Sequence, residues 1–255
     1  MIDSNCFQKY GFNQSDSMRL RLTLRQKNAV EYLPLNTGYY LAGMIYKVLL
    51  QSSEAFASQL HEYGYAPEHA RQKFKYFTFS NLQIPKRTGL FADGGLRIDS
   101  AVFEKERIET LADPAWSESM AFSMLSPLAV SLYRNPLEGM NSKEYLRYND
   151  ERLSATVLHN LQAKYRGLYG AEPPECSTPF SVTFDANYIK RIEENRKSVE
   201  KLITIKDASD KEIKVKAIES PFVVTGHCEL LKVGYECGFG ENNGMGFGMV
   251  RVDER

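Results

Sequence analysis

Met18-Arg19-Leu20-Arg21-Leu22-Thr23-Leu24 alternates apolar and polar residues at every step. That is the period of a half-buried β-strand, and it predicts Leu20, Leu22 and Leu24 on a core face with Arg19 and Arg21 opposite. The period lengthens after Leu33-Pro34-Leu35-Asn36, where a proline stop is followed by Asn36 as the expected helix N-cap. Leu41, Met44, Ile45, Val48 and Leu49 then follow the i, i+3, i+4, i+7, i+8 spacing of a buried helical stripe. At about 100° per residue, Tyr46 falls off that stripe. Ser52-Ser53-Glu54 ends this helix and caps a second, with Phe56, Leu60 and Tyr63 as its apolar face and His61 off it.

Residues 74–80 (Phe-Lys-Tyr-Phe-Thr-Phe-Ser) read as an aromatic strand in which Lys75 alternates with its neighbours. A loop with Pro85, Gly89 and Gly94-Gly95 leads to a further strand from Leu96. Strand, helix pair, strand, strand is most of a ferredoxin-like βαββαβ unit. About twenty residues remain before Asp113-Pro114, too few for both a helix and a closing strand with their connection. This first unit is therefore expected to lack a helix, and its sheet has no evident closing strand.

A second unit opens at Met120, with a strand over Ala121–Leu125. Ser142 to Tyr169 holds a long amphipathic helix whose apolar positions include Leu146, Leu153, Val157, Leu158 and Leu161. Phe180–Phe184 is a strand, and the charged stretch from Ile189 to Ile218 contains two alternating pieces that predict a protruding hairpin. His227–Gly234 is a short helix, and Met249–Val252 a final strand. The expected fold is α+β, with a mobile extension over residues 1–17, one unit over 18–116 and another over 117–255.

With 43% hydrophobic residues in 255, the chain can build a core, and no run approaches a membrane span. The polar start lacks a signal-peptide pattern, and four cysteines without metal or disulfide spacing fit a reduced, cytoplasmic setting. Net charge is zero, which argues against a strong nonspecific nucleic-acid binder. The distribution matters more. Six basic residues and one acid lie between Arg71 and Arg97, a local stripe able to neutralise phosphates.

Near the C-terminus stands Gly238-Phe239-Gly240-Glu241-Asn242-Asn243-Gly244-Met245-Gly246-Phe247-Gly248. Such glycine density suits neither a helix nor a strand interior, but it suits a loop whose amides a phosphate can approach. The expected placement is a sheet rim with the amides of Gly240 and Gly246 turned outward. P-loop and dinucleotide loops open a helix, whereas this one precedes a strand, which weakens a nucleotide-binding reading. The whole string, its lead-in Leu231-Lys232-Val233-Gly234-Tyr235 and the segment Ser126-Pro127-Leu128-Ala129-Val130 closely resemble the CRISPR-associated endoribonucleases of the Cas six family, in the RAMP superfamily. Two tandem ferredoxin-like (RRM-like) domains, the first shortened, are what that resemblance implies.

It also implies a site. In that family a catalytic histidine lies downstream of the first helix, with a tyrosine in that helix and a lysine just before an aromatic strand. Tyr46, His61 and Lys75 match those positions, and His227 is the chief rival, with His69 and His159 behind it. Cutting RNA without metal requires a base for the 2′-hydroxyl, an acid for the departing 5′-oxygen, and a donor to steady the phosphorane. Gly238, Gly240, Asn242, Asn243, Gly244, Gly246 and Gly248 are the expected RNA-binding loop positions, with Arg19, Arg21 and Lys232 as nearby charges. The family's loop usually carries a lysine or arginine in its insert, and this one has Glu241-Asn242-Asn243-Gly244 instead.

The function implied is a metal-independent endoribonuclease, without cofactor, that cuts CRISPR repeat RNA in precursor transcripts to give 2′,3′-cyclic phosphate and 5′-hydroxyl ends. Other Cas proteins of an effector complex are its expected partners. The neutral charge, the missing loop cation and the shortened first unit favour an alternative, a noncatalytic subunit that holds repeat RNA.

Overall fold

The computed structural model describes residues 19–26, 37–53, 60, 74–83, 103–133, 143–206 and 212–253. The N-terminal extension, Asn36, His61, His69, most of the second helix, and the loop and strand expected between Pro85 and Arg97 lie outside the described residues. In chain order the elements are β1 (Arg19–Gln26), α1 (Gly38–Ser52), β2 (Phe103–Leu111), β3 (Ser119–Met124), β4 (Ser131–Tyr133), β5 (Lys143–Tyr145), α2 (Leu153–Tyr169) and β6 (Ser181–Phe184). There follow α3 (Ala186–Glu194), β7 (Glu200–Lys206), β8 (Glu212–Ile218), β9 (Phe222–Thr225), α4 (Cys228–Cys237), a 3-10 turn (Asn243–Met245) and β10 (Val250–Val252). The architecture is α+β, with antiparallel sheets.

The second half contains a complete βαββαβ unit. Its strands β3, β6, β9 and β10 lie in the order β10-β3-β9-β6, the fourth, first, third and second strands of the motif. One sheet face carries Met120, Phe122, Phe184, Phe222, Val224 and Val250. These pack with Val157 and Leu161 of α2 and Leu230, Leu231 and Val233 of α4 in the main core. Two hairpins are inserted into this plan: β4–β5 between β3 and α2, and β7–β8 between α3 and β9.

Several expectations change at this level. The first half does have a further strand, since β2 pairs antiparallel with β1 from Arg19↔Leu111 to Gln26↔Phe103, with a shift between Thr23 and Leu24. The faces of β1 do not divide as expected: Leu20 and Leu22 are 46% and 48% exposed, Leu24 is half-buried and Arg21 is exposed. Arg19 is the residue turned inward, its guanidinium 3.5 Å from the Tyr235 ring centroid and donating to the carbonyls of Val250 and Tyr235. A cation that can lie on an aromatic face while using its donors outcompetes a leucine for that position.

On α1 the buried line is rotated rather than inverted, with Leu41, Ile45 and Leu49 half-buried. Met44 and Val48 are 41% and 56% exposed, while Gly38 and Ala42 are buried. Tyr46 continues that line at the i+8 position, half-buried. Ser53 ends the helix as expected, its N–H donating to Leu49 O at 2.9 Å. Residues 74–80 form no strand; beyond a single bridge at Phe74 they run irregularly. Leu146 is buried, but it follows β5 and precedes the long helix, which begins at Leu153. The charged stretch includes α3, capped by Asp185, which accepts from Tyr188 N–H. Its hairpin does not simply protrude, because Ile205, Val215 and Ala217 form a second core with Ala129 and Phe247.

Candidate functional site

The glycine loop is fixed in place by its two phenylalanines. Phe239 enters the main core, 5.4 Å from the Phe122 ring and 5.5 Å from that of Phe222. Phe247 enters the second core, beneath the β7–β8 hairpin. Burying a phenylalanine stabilises by roughly 3–5 kcal/mol as judged by truncation to alanine, so two such anchors outweigh any single polar contact in the loop. The flanking glycines let the chain pass close to its neighbours. At Gly240, where φ is +67°, an added Cβ would lie 2.2 Å from the Ala129 carbonyl oxygen.

Of the two amides expected to turn outward, that of Gly246 is engaged internally, as are those of other loop residues. Phe239 N–H donates to Gly248 O, Glu241 N–H to Ala129 O, Gly246 N–H to Asn243 O and Gly248 N–H to Pro127 O, at 2.8–2.9 Å. Asn243 is 6% exposed. Its Nδ2 donates to Phe239 O at 3.1 Å and Phe247 O at 3.0 Å, tying the two triplets together. Asn242 is partly exposed and left-handed, with φ 60°. Glu241 is neutralised from the neighbouring hairpin, accepting from Ser131 Oγ at 3.0 Å and Lys143 Nζ at 3.2 Å.

Residues 74–83 lie against this loop. Lys75 rests on Gly244, where an added Cβ would lie 2.8 Å from its Cδ, and Phe79 rests on Gly246. Thr78 Oγ1 donates to Phe247 O at 3.0 Å. From α1, Tyr46 completes the group: Lys75 Nζ lies 4.8 Å from its ring centroid, and Phe77 packs edge-on against it at 6.0 Å. Burial pushes the Tyr46 phenol up to about 12 and the Lys75 ammonium below its ordinary value. The first keeps its proton at neutral pH. The second holds a cation in a poorly solvated place, where its field is strong.

The structure thus brings together two of the three expected catalytic side chains and the loop. His61 lies outside the described residues, next to Leu60, which is helical and 4% exposed. His227 has a structural task, its Nδ1 accepting from Glu229 N–H at 3.2 Å as the N-cap of α4. His159 is exposed on α2. Arg21 is exposed on β1, Arg19 is turned toward Tyr235, and Lys232 lies 3.8 Å from Glu236 on α4. Sequence reasoning missed Lys164. It sits on α2 at 1% exposure and its Nζ donates to Gly238 O, Gly240 O and Asn243 Oδ1 at 2.6, 2.8 and 2.8 Å. The available signal was its place three residues after Leu161 and seven after Val157, on the buried side of the helix.

Comparisons with known proteins bear on the family and the fold. Residues 111–252 match the family model described as CRISPR associated protein Cas6, C-terminal. Residues 32–108 match the model CRISPR-associated protein Cas6, N-terminal. A curated relative from Methanocaldococcus jannaschii, named CRISPR-associated endoribonuclease Cas6 1, is 30% identical over 92% of each chain. The Pyrococcus furiosus protein named CRISPR-associated endoribonuclease Cas6 is 28% identical, over 92% of this chain and 89% of its own. A solved structure of a Cas6-related gene product from Pyrococcus furiosus superposes with a TM-score of 0.70, covering 93% of this chain and 99% of that one at 20% identity. That last likeness concerns the fold.

Proposed function

The chain belongs to the Cas6 family of CRISPR-associated proteins, and from that premise we propose that it is a metal-independent endoribonuclease acting on CRISPR repeat RNA. It cuts precursor transcripts to guide RNAs ending in a 2′,3′-cyclic phosphate, leaving a 5′-hydroxyl on the other fragment. The observation that carries this reading is the convergence of Lys75, Tyr46 and the glycine loop, with Lys75 Nζ 4.8 Å from the Tyr46 ring and its stem on Gly244.

In this reading the RNA's own 2′-hydroxyl is the nucleophile. His61 serves as the proton-transfer residue, since histidine alone changes charge near neutral pH without perturbation. Tyr46, holding its proton, orients the scissile phosphate by donating to it. Lys75 balances the charge that builds on the phosphorane, and partial burial makes that cation more effective than an exposed lysine. The loop's exposed edge, with Asn242, together with Arg21 and Lys232, supplies RNA contacts. Residues 18–116 and 117–255 act as two domains with the scissile phosphate between them. The protein works in the cytoplasm, with other Cas proteins as partners.

The test is repeat RNA incubated in EDTA, beside the same RNA with one 2′-deoxy at the scissile position. Cleavage should persist in chelator and stop with the deoxy substrate. Activity lost in EDTA and restored by magnesium would rule out the mechanism. Tight binding with no cleavage under any condition would identify the noncatalytic repeat-binding alternative.

A further inference from the structure

We propose that Lys164 is a positioning residue for the RNA-binding loop: its ammonium, enclosed by α2 and the loop, sets the loop's shape and through it the seat of Lys75. This rests on the RNA-binding reading above. Three acceptors converge on Nζ, the carbonyls of Gly238 and Gly240 and the side-chain oxygen of Asn243. An ammonium has three donors and no lone pair, so donors and acceptors match one for one. A neutral amine has two N–H groups, and its lone pair would face the third oxygen. Asn243 cannot reverse its amide to correct this, because Nδ2 already donates to Phe239 O and Phe247 O. The site is therefore built for the charged form.

The path to the catalytic group is short. Lys164 holds Asn243, and Asn243 and Thr78 both donate to the Phe247 carbonyl. Thr78 lies three residues from Lys75, and Lys75 rests on Gly244, the residue after Asn243. A cation from α2 thus braces the loop from beneath; with its donors taken up by loop oxygens, it does not replace the RNA-facing cation that the insert lacks.

The groups facing Nζ from its surroundings make the brace sensitive to pH. Cys237 at the end of α4 is pushed up to about 12 by burial and stays neutral. Glu241 in the loop is already paired with Lys143. With no carboxylate among its hydrogen-bond partners, the Lys164 ammonium is pushed down to about 7 by burial. Rising pH removes its third proton and one loop contact.

The experiment uses full-length wild type and Lys164→Met, which keeps length and removes the donors. Removing the donors leaves three buried oxygens without their partner, so the variant should melt at a lower temperature, yet cooperatively, because no residue of the main core is replaced. Repeat-RNA affinity and single-turnover rate should each fall at least about tenfold, the worth of one strong hydrogen-bonded contact. In wild type, followed by NMR from about pH 6 to about pH 9, the Lys164 Cε resonance and the amides of Glu241 and Gly246 should move with one midpoint. A cooperatively melting Met variant that binds and cuts as wild type does overturns the proposal. If the variant fails to fold, loop amides that stay fixed across the wild-type titration overturn it equally. Should wild type bind no repeat RNA while its loop still follows Lys164, the functional reading fails and the brace stands.

Discussion

Lys75 owes its place to what Gly244 lacks. Any side chain there would put a Cβ 2.8 Å from Lys75 Cδ and 3.2 Å from its Cβ, so the lysine stem must move. Gly244 needs no unusual φ, and the obstructing atoms belong to a flexible chain, so Gly244→Ala should leave thermal stability almost unchanged. Misplacing a catalytic group by about 1 Å can cost on the order of 10²-fold in rate. Gly244→Ala is therefore expected to lower the single-turnover rate roughly ten- to a hundredfold while RNA affinity holds. His61→Ala, which removes a proton-transfer group, should cost about 10²–10⁴-fold under the same assay. Equal rates for wild type and Gly244→Ala would show that Lys75 acts from elsewhere or not at all.

At the scale of the element, the glycine loop reads differently in sequence and in structure. Its glycines answer to packing as much as to any ligand: Gly240 passes the Ala129 carbonyl, and Gly246 carries the Phe79 ring. Asn242 is one of three partly exposed loop positions, with Glu241 and Met245, and in the proposed reading a cation introduced there should reach RNA phosphates. Each phosphate neutralised by a lysine adds about 0.7 to the log–log salt slope on a single strand and about 0.9 on a duplex. Asn242→Lys should tighten binding at low salt and steepen that slope by up to about one unit, measured by filter binding at several salt concentrations. An unchanged slope would place this edge away from the RNA. In the second half the sheet strands and the body of the long helix were legible because their apolar periods agree with their burial, as for Val157 and Leu161 on α2 or Phe222 and Val224 on β9. The helix α3, within a charged stretch, and the short β4–β5 hairpin were not. Nor were the faces of β1 and α1. There a stacked arginine and a line of small residues decide the orientation, and neither shows in an apolar pattern. For the site, Tyr46 and Lys75 were found by family register, since their juxtaposition depends on irregular chain over 74–80. Lys164 was passed over because a lysine in a buried stripe reads as a break in the stripe.

Across the whole molecule, the core and the site are distributed unequally between the halves. Among the described residues, every member of the main core lies between Met120 and Val250, and the partly buried residues packed on it lie between Trp116 and Val252. The sheet there has its full set of four strands. The contacts that complete the site come from the first half: Arg19 on Tyr235, Lys75 on Gly244, Thr78 on Phe247 and Phe79 on Gly246. Residues 117–255 expressed alone should therefore fold, since a unit of this size with its own core can do so. The loop in that fragment would keep its phenylalanine anchors and Lys164, yet lose the cover over Gly244 and Gly246. Its glycine amides should exchange with solvent faster than in the full chain, local opening being governed by local contacts. RNA affinity should fall at least about tenfold, because the whole basic stripe between Arg71 and Arg97, with the contacts from 74–83, is gone. Cleavage should vanish with Tyr46, His61 and Lys75. Thermal melting, hydrogen exchange and repeat-RNA binding on the fragment and the full chain provide the comparison. A fragment that melts without cooperativity would show that the second half depends on the first for its core, and one that still cuts RNA would move the catalytic groups into β3–β10.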